Sequence, residues 1–360
     1  MKSFYVDPDI SIAKTIDKEF YLDPLIFEVC KERIFAPSWQ FIGHKRMAAM
    51  PGDIFPINVL EGFLDEPLVL TRNQSDQLHL LSNVCTHRGN LLVEKPCSSR
   101  HLRCRYHGRL FHLDGKFHSM PEFKEVKQFP SADDDLEELP LFTWGPWLFS
   151  SLNQSRPADH FLKDMMQRVG WMPVENFVFR PDLSKDYSVN AHWALYCENY
   201  LEGFHIPFVH AGLNAIIDFG NYRTELFDLS SLQIGIAKED EACFDLPHDS
   251  PDFGEQVAAY YFFIFPNMMF NFYPWGLSVN LVKPISLQET RISFFSYVWN
   301  EKKYDTGAGS NLDLVEEEDE EVVENVQSGI RSRFYRHGRY SVSREKGTHH
   351  FHQIISSFLK

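Results

Sequence analysis

Two short stretches carry the residue types from which metal chemistry is made. "NVCTHRGN" at 83–90 holds Cys85 and His87, and "LRCRYHGRL" at 102–110 holds Cys104 and His107, so four donors fall in the order Cys, His, Cys, His. Two thiolates and two imidazoles make a serviceable tetrahedral zinc set. Zinc fingers, however, pair cysteine with cysteine and histidine with histidine, whereas each loop here contributes one of each. That alternation suits a binuclear iron–sulfur centre whose two irons differ, one held by the thiolates and the other by the imidazoles.

A second donor set lies further along. "HWALYCENYLEGFHIPFVH" offers His205 and His210, five residues apart, with Pro207 between them to disturb a helix so that both rings can turn toward one centre. Two histidines and one carboxylate, with open positions, form an iron(II) site suited to O2 chemistry. Glu202 and His205 also make a Glu-x-x-His pair of the di-iron carboxylate kind, but such a site needs a second copy and the sequence has none. The carboxylate must come from a distance, and "LDLVEEEDEEVVENVQSGIRSRF" holds seven acids between Glu316 and Glu324. On a helix, Leu312, Val315, Val322, Val323, Val326 and Ile330 form one apolar stripe with Asp319 at its middle and Glu316 at its edge. Glu317, Glu318, Glu320, Glu321 and Glu324 are expected to point away. An acid facing a core needs a partner, because an unpaired buried carboxylate is costly. Asp319 is therefore the first candidate and Glu316 the second.

Cys-Thr-His-Arg-Gly and Cys-Arg-Tyr-His-Gly resemble the cluster loops of Rieske-type non-haem iron oxygenases, the family of the aromatic-ring-hydroxylating dioxygenase alpha subunits. "ENYLEGFHIPFVH" at 198–210 resembles that family's mononuclear-iron motif, and "VENVQSG" at 323–329 matches the stretch that follows its ligating aspartate. The resemblance implies a Rieske [2Fe–2S] cluster on Cys85, His87, Cys104 and His107, and one Fe(II) on His205, His210 and Asp319. It also implies that Glu202 bridges to the cluster histidine of a neighbouring subunit, matched here by His107, and that Asn199 is a polar residue near the iron. Many ring-hydroxylating members carry aspartate where this sequence has Glu202, and a helical wheel leaves Glu198 open as the bridging acid. Respiratory-chain Rieske proteins have an extra loop cysteine near each pair, and those cysteines are missing here.

By the same resemblance the chain is an enzyme that uses O2 and a small-molecule substrate, works as a head-to-tail homotrimer, and takes electrons from a separate NAD(P)H-dependent reductase or ferredoxin. No bound flavin or NAD is expected, since "GAGSN" at 307–311 lacks the third glycine of a dinucleotide fingerprint. Glu202, the modest length and the run at 198–210 look like the branch acting on choline, carnitine and related trimethylammonium compounds, which implies N-demethylation or hydroxylation next to nitrogen. Two alternatives stand beside it: dioxygenation of an arene or aromatic acid, and a Rieske electron carrier whose C-terminal domain only binds a ligand. Tyr260, Phe262, Phe270, Phe272, Tyr273 and Trp275 are expected mainly in the core; any that line the pocket would face a quaternary ammonium through cation–π attraction. The substrate-binding residues are not legible.

The elements that must position these donors follow from pattern. Residues 1–38 read as a lead-in packing on the catalytic domain, with a helix in "DPLIFEVCKERIF" capped by Asp23 and opened by Pro24. Residues 39–152 read as a small all-β domain, with strands such as "QFIGH", "DIFPINV", "LHLLSNV" and "WLFSSL" and a two-residue hairpin turn at Asp114-Gly115. Residues 158–360 read as an α+β, helix-grip-like catalytic domain: helices over "HFLKDMMQRVGW" and "AHWALYCENYLEGFH", and an antiparallel sheet from "VAAYYFFIF", "MMFNFY", "LSVNLVKPI" and "RISFFSYVWN".

A chain of 360 residues suffices for two such domains. Its net charge of −15 argues against nucleic acid as partner. The apolar tract "YYFFIFPNMMFNFYPWG" is broken by prolines and asparagines, so neither a membrane span nor a signal peptide is expected, and the cytoplasm is the expected compartment. Cys30, Cys97, Cys197 and Cys243 are expected as buried apolar residues. Arg88, Lys95, Arg100, Arg103, Arg105, Arg109 and Lys116 make a basic island over the Cys/His loops that could dock an acidic electron donor.

Overall fold

Short β-branched and aromatic runs broken by Gly and Pro have room for short strands only, and residues 39–154 are built that way. The computed structural model describes residues 4–360 and divides them into two units, residues 39–154 and, taken together, residues up to 38 with residues 155–360.

The strands of the first unit are β1 (Gln40–His44), β2 (Asp53–Val59), β3 (Glu66–Arg72), β4 (Leu78–Ser82), β5 (Cys97–Ser98), β6 (Leu102–Arg103), β7 (Leu110–Phe111), β8 (Phe117–Ser119), β9 (Glu138–Leu139), β10 (Leu141–Trp144) and β11 (Trp147–Ser150). They form one sheet in the order β5-β2-β3-β4-β9 and two three-stranded sheets, β6-β7-β8 and β1-β11-β10. Ile54, Val69, Leu81, Leu102 and Phe111 make a core that takes in both Cys85 and Cys104. The hairpin after β7 turns on three residues rather than two, because His112 N–H donates to Lys116 C=O at 2.8 Å and Gly115 sits at φ +84°. Cys97 is exposed on β5, contrary to expectation, because that two-residue strand lies at the sheet's edge with both side chains in solvent.

The second unit holds helices α1 (Glu19–Leu22), α2 (Pro24–Cys30), α3 (Asp159–Val169), α4 (Trp193–Tyr200), α5 (Ile206–Val209), α6 (Ala211–Ile216), α7 (Leu312–Ile330) and α8 (Lys346–Phe358). Its strands are β12 (Val178–Val189), β13 (Arg223–Leu226), β14 (Ser230–Ile236), β15 (Val257–Ile264), β16 (Met268–Tyr273), β17 (Gly276–Ser286) and β18 (Glu289–Val298). They pair antiparallel in the order β12-β18-β17-β16-β15-β14-β13. Strands β14 to β17 are buried along most of their length, β15 and β16 as near-continuous apolar runs and β14 and β17 with buried Ser230, Ser231, Gln233, Ser278 and Asn280 among their apolar residues, and helices α4 and α7 pack on the sheet and on each other. The N-terminal residues pack in this unit, with Asp7 C=O 2.7 Å from His349 Nε2 and Tyr21 OH donating to Glu198 at 2.7 Å. The Asp23 side chain caps α2 through Leu25 N–H at 2.8 Å.

One predicted helix is shorter than its pattern. The apolar run from Ala191 continues to His205, but α4 stops at Tyr200, and Leu201–His205 form an irregular turn before α5. Pro207 does not break a helix there; it sits in the first turn of α5, where its missing N–H costs nothing. Architecture is thus α+β, an all-β unit followed by a sheet-and-helix unit.

Candidate functional sites

The two Cys/His loops of the first unit are built to one plan. Cys85 N–H donates to Asn90 C=O at 2.9 Å and Gly89 N–H to Cys85 C=O at 3.0 Å; Cys104 N–H donates to Arg109 C=O at 2.8 Å and Gly108 N–H to Cys104 C=O at 3.0 Å. Each loop therefore reverses at a glycine four residues after its cysteine, and Gly89 and Gly108 have φ of +69° and +78°. The sulfurs face inward, since Cys85 and Cys104 are buried in the core, while the His87 and His107 rings lie edge to face with centroids 4.7 Å apart. Burial, with the neighbouring Cys104 thiol, pushes the Cys85 thiol up.

This layered arrangement favours a binuclear cluster over zinc. A single tetrahedral ion needs its donors packed around one point. Among the described residues, the trio of donors that converges within 4.8 Å is His205, His210 and Asp319, and no three of the four loop donors do so. Sulfur on the inside and nitrogen on the outside instead fit two irons side by side. His107 Nδ1 is buried with no hydrogen-bond partner, a nitrogen that a metal would satisfy.

In the second unit, α5 and α6 present His205 and His210 toward α7, which carries Asp319. His210 Nε2 lies 3.0 Å, and His205 Nε2 3.6 Å, from Asp319 Oδ1. The opposite nitrogens are held by carboxylates: His205 Nδ1 donates to Glu202 Oε1 at 2.7 Å and His210 Nδ1 to Glu318 Oε2 at 2.7 Å. Asn199 Nδ2 donates to Asp319 Oδ1 at 2.6 Å. With each Nδ1 proton committed to a carboxylate, the Nε2 atoms that face Asp319 are satisfied either by a second proton or by a cation held between them. Burial lowers the basicity of His210, but the hydrogen bonds and charges of Asp319 and Glu318 outweigh it and raise the net value. The donor set and its outer partners fit a two-histidine, one-carboxylate iron(II) site.

The acids near Asp319 behave differently from the stripe expectation. Glu318, expected to face solvent, holds His210, and Glu324 accepts from Asn190 N–H and Nδ2, each at 2.8 Å. Val326, expected in the apolar stripe, is 44% exposed. The buried face of α7 runs through Glu316, Val323, Gln327 and Ile330, so the helix is rotated toward its acids. Glu316 does not join the converging trio; its Oε2 accepts from Tyr196 OH at 2.6 Å. Burial pushes its carboxyl up to about 8, with the Asp319 and Glu320 charges adding to the rise against the Tyr196 bond. Glu198, the other acid considered for a bridge, is turned to Tyr21 OH at 2.7 Å and His352 Nε2 at 3.1 Å.

Beside these donors is a pocket of about 110 Å³ lined by Tyr196, Tyr200, Tyr222, Tyr261 and Tyr273, among others. Burial raises all five phenols, so they stay protonated. Of the six aromatic residues considered from the sequence, only Tyr273 lines this pocket; Tyr260, Phe262, Phe270, Phe272 and Trp275 are buried elsewhere in the unit.

Comparison with known families agrees with the geometry. Residues 38–130 match the Rieske [2Fe-2S] domain, and residues 178–360, just over half of the chain, match the ring hydroxylating alpha subunit catalytic domain. The chain belongs to the ring-hydroxylating alpha subunit family. It is a Rieske non-haem iron oxygenase, and the reading of its C-terminal domain as a mere ligand-binding appendage to an electron carrier is set aside by the catalytic-domain match. The oxygenase is 28% identical to choline monooxygenase, chloroplastic, of Arabidopsis thaliana over 98% of this chain and 85% of that protein. It is 27% identical to the carnitine monooxygenase oxygenase subunit of Escherichia coli K12 over 97% and 94%. A solved quaternary ammonium Rieske monooxygenase shares the fold, with TM-score 0.79 and 24% identity over 99% of this chain and 100% of that one.

Several residues of the oxygenase carry structural tasks that no sequence signal marked. Arg109, counted in the basic island, is buried; it donates to Asp134 Oδ1 at 2.7 Å and sits over the Phe117 ring at 5.0 Å. The Asp134 C=O accepts from Arg109 at 3.0 Å and from Thr86 OH at 2.9 Å, so it ties both cluster loops together. Arg88, Lys95, Arg100, Arg103 and Arg105 remain exposed as the basic face. Asp134 ends a short 3-10 helix, Ala132–Asp134, and only the fold brings it to the loops. The pocket tyrosines were equally silent, because strand tyrosines are common wherever a sheet is buried.

Proposed function

We propose that this oxygenase oxidises a small quaternary ammonium compound of the choline, carnitine or betaine kind, by N-demethylation or by hydroxylation next to nitrogen. The observation that carries the reading is the pocket beside His205, His210 and Asp319: five tyrosines line it and, among the described residues, no lysine or arginine does. Ring faces attract a cation strongly once it is desolvated, and no fixed positive charge opposes one. The printed activities of the relatives, choline and carnitine monooxygenation, support the same class.

In this reading Cys85, His87, Cys104 and His107 hold the [2Fe–2S] cluster, and His205, His210 and Asp319 hold the iron. When bound, the cluster supplies electrons singly and the iron supplies O2 activation. The chain's own residues do the rest. Glu202 and Glu318 keep the Nδ1 protons of His205 and His210, fixing which nitrogen faces the metal. Asn199 fixes the Asp319 carboxylate, and the buried Tyr196 and Tyr273, with the half-buried Tyr200, Tyr222 and Tyr261, limit water around the substrate. Net reaction places one oxygen atom in a C–H bond next to nitrogen; the other leaves as water with two electrons and two protons, and a hydroxymethyl product then loses formaldehyde.

The electrons come from a separate NAD(P)H-dependent reductase or ferredoxin in this proposal, docking on the exposed basic residues near the cluster loops. Glu202 relays them to the iron from the His107 side of a neighbouring subunit in a head-to-tail trimer. Exposed aromatics on both sides support such a contact: Tyr106 stacks beside His107 with centroids 3.7 Å apart, and Phe208, next to the iron histidines, is 80% exposed. A reducing compartment such as the cytoplasm is supported by six unpaired cysteines, and no helix of the described residues is long and apolar enough to cross a membrane. Purified enzyme reconstituted with iron and a surrogate reductase, offered choline, carnitine, betaines and an aromatic panel, tests the substrate class. Formaldehyde or hydroxylated amine from a quaternary substrate supports it; product from arenes alone overturns it.

A further inference from the structure

Among the pocket's polar groups outside the metal site, Glu316 is the acidic one with a buried oxygen left unpartnered. Glu316 lies on α7, just under one turn before Asp319, and is 4% exposed. Oε2 is taken by Tyr196 OH at 2.6 Å, whereas Oε1 is buried and has no partner in the protein. Its carboxylate is not part of the converging donor trio, although the residue lines the same pocket. Burial pushes this carboxyl up to about 8, so it is mostly protonated in the empty pocket at neutral pH; a cation entering beside it favours the carboxylate, and the proton passes to solvent.

The surroundings narrow what can answer it. An anion would be repelled, and a neutral alkyl group would gain nothing from the charge. An N–H donor would need a directed approach to Oε1, but a trimethylammonium group spreads its charge over its methyls and needs only proximity. Five tyrosines line the same pocket, and an aromatic ring face attracts such a group. Inside a dry pocket the attraction between a carboxylate and a cation is several times stronger than in water.

We infer that Glu316 is the counter-charge for the cationic group of the substrate and sets the preference of this site for cations over neutral molecules of the same shape. This rests on the quaternary-ammonium reading above. Tyr196 acts as a positioning residue: its hydroxyl fixes one of the two Glu316 oxygens.

The test is calorimetric binding to iron-loaded enzyme of choline and of the neutral alcohol in which carbon replaces its quaternary nitrogen. Wild type should prefer choline by about tenfold or more. Glu316→Gln keeps an acceptor for Tyr196 and should shrink that preference about tenfold, with iron content unchanged and the neutral alcohol bound within about twofold of wild type. Glu316→Asp retains the charge one methylene further back and should fall between them, which also guards against misfolding of the amide variant. Survival of the full preference in Glu316→Gln overturns the inference, and so does loss of iron from that variant, which would make Glu316 a ligand. Wild type showing no preference for the cation overturns the substrate-class reading itself, a result read before any variant is made.

Discussion

Glu318 Oε2 lies 2.7 Å from Nδ1 of His210, on the opposite edge of the ring from the nitrogen that faces Asp319. One acid of a long acidic run therefore serves the site by orienting a histidine. Glu318→Ala should weaken iron binding roughly ten- to hundredfold, the usual effect of removing an outer-shell partner. Glu317→Ala, one residue away and exposed, should leave it unchanged. Equilibrium dialysis against an iron chelator compares the two.

Gly203, one of the two residues between Glu202 and His205, allows the Tyr222 ring to lie against the backbone. A Cβ there would sit 2.5 Å from Tyr222 Cε1. A rigid ring cannot yield cheaply, so Gly203→Ala should either displace Tyr222 from the pocket or open the turn that aims His205. Expected outcomes are a loss of about 1–3 kcal/mol in stability and weaker iron binding. Thermal melting and iron content read the two effects separately.

The Arg109–Asp134 pair predicts an asymmetry in the first unit. Asp134→Ala leaves a buried guanidinium without its carboxylate and should cost about 3 kcal/mol or more. Pairing that change with Arg109→Met removes the stranded charge and should recover much of the loss. Denaturation of the full chain followed by the visible absorbance of the cluster reports both, since the same pair braces the cluster loops.

How far the sequence could be read depends on distance along the chain. The Cys/His loops and the His205–His210 run are local, so their spacing together with the resemblance to one family marked them, and strands β15 to β18 were legible because their apolar runs are long, whereas β12, β13 and β14 were not read. What lay beyond reach was set by contacts between distant segments. Glu318 and Glu316 look alike in a run of acids, and only the rotation of α7 decides that one meets His210 and the other the pocket. The end of α4 at Tyr200 was hidden because the apolar pattern continues through the irregular turn that carries Glu202 and Gly203. Arg109 read as a surface cation because an Asp134 partner 25 residues away gives no local signal.

His192 predicts sensitivity to acid. Its ring is fully buried among Phe20, Tyr21 and Phe27, Nδ1 accepts from Ala194 N–H at 3.3 Å, and Nε2 has no partner. Burial pushes it down to about 3. Because the unfolded chain takes up this proton near pH ~6.5 and the folded chain does not, stability is complete above that value and falls as pH drops toward 3, by about 2 kcal/mol at pH 5. His192→Phe should flatten the slope of stability against pH by about 1.4 kcal/mol per unit in that window. Urea titrations across the window measure the slope, and an unchanged slope would show that His192 is not the group responsible.

The central claim is that two separate metal sites reside on one chain, a binuclear cluster on the Cys/His loops and a single iron on His205, His210 and Asp319. Iron quantification beside the visible spectrum of anaerobically purified wild type and Asp319→Ala tests it most directly. The account predicts one iron beyond the cluster pair in wild type, and loss of that one iron from the variant with the red-brown cluster spectrum intact. Wild type holding only the cluster pair, or Asp319→Ala retaining the additional iron, would contradict it.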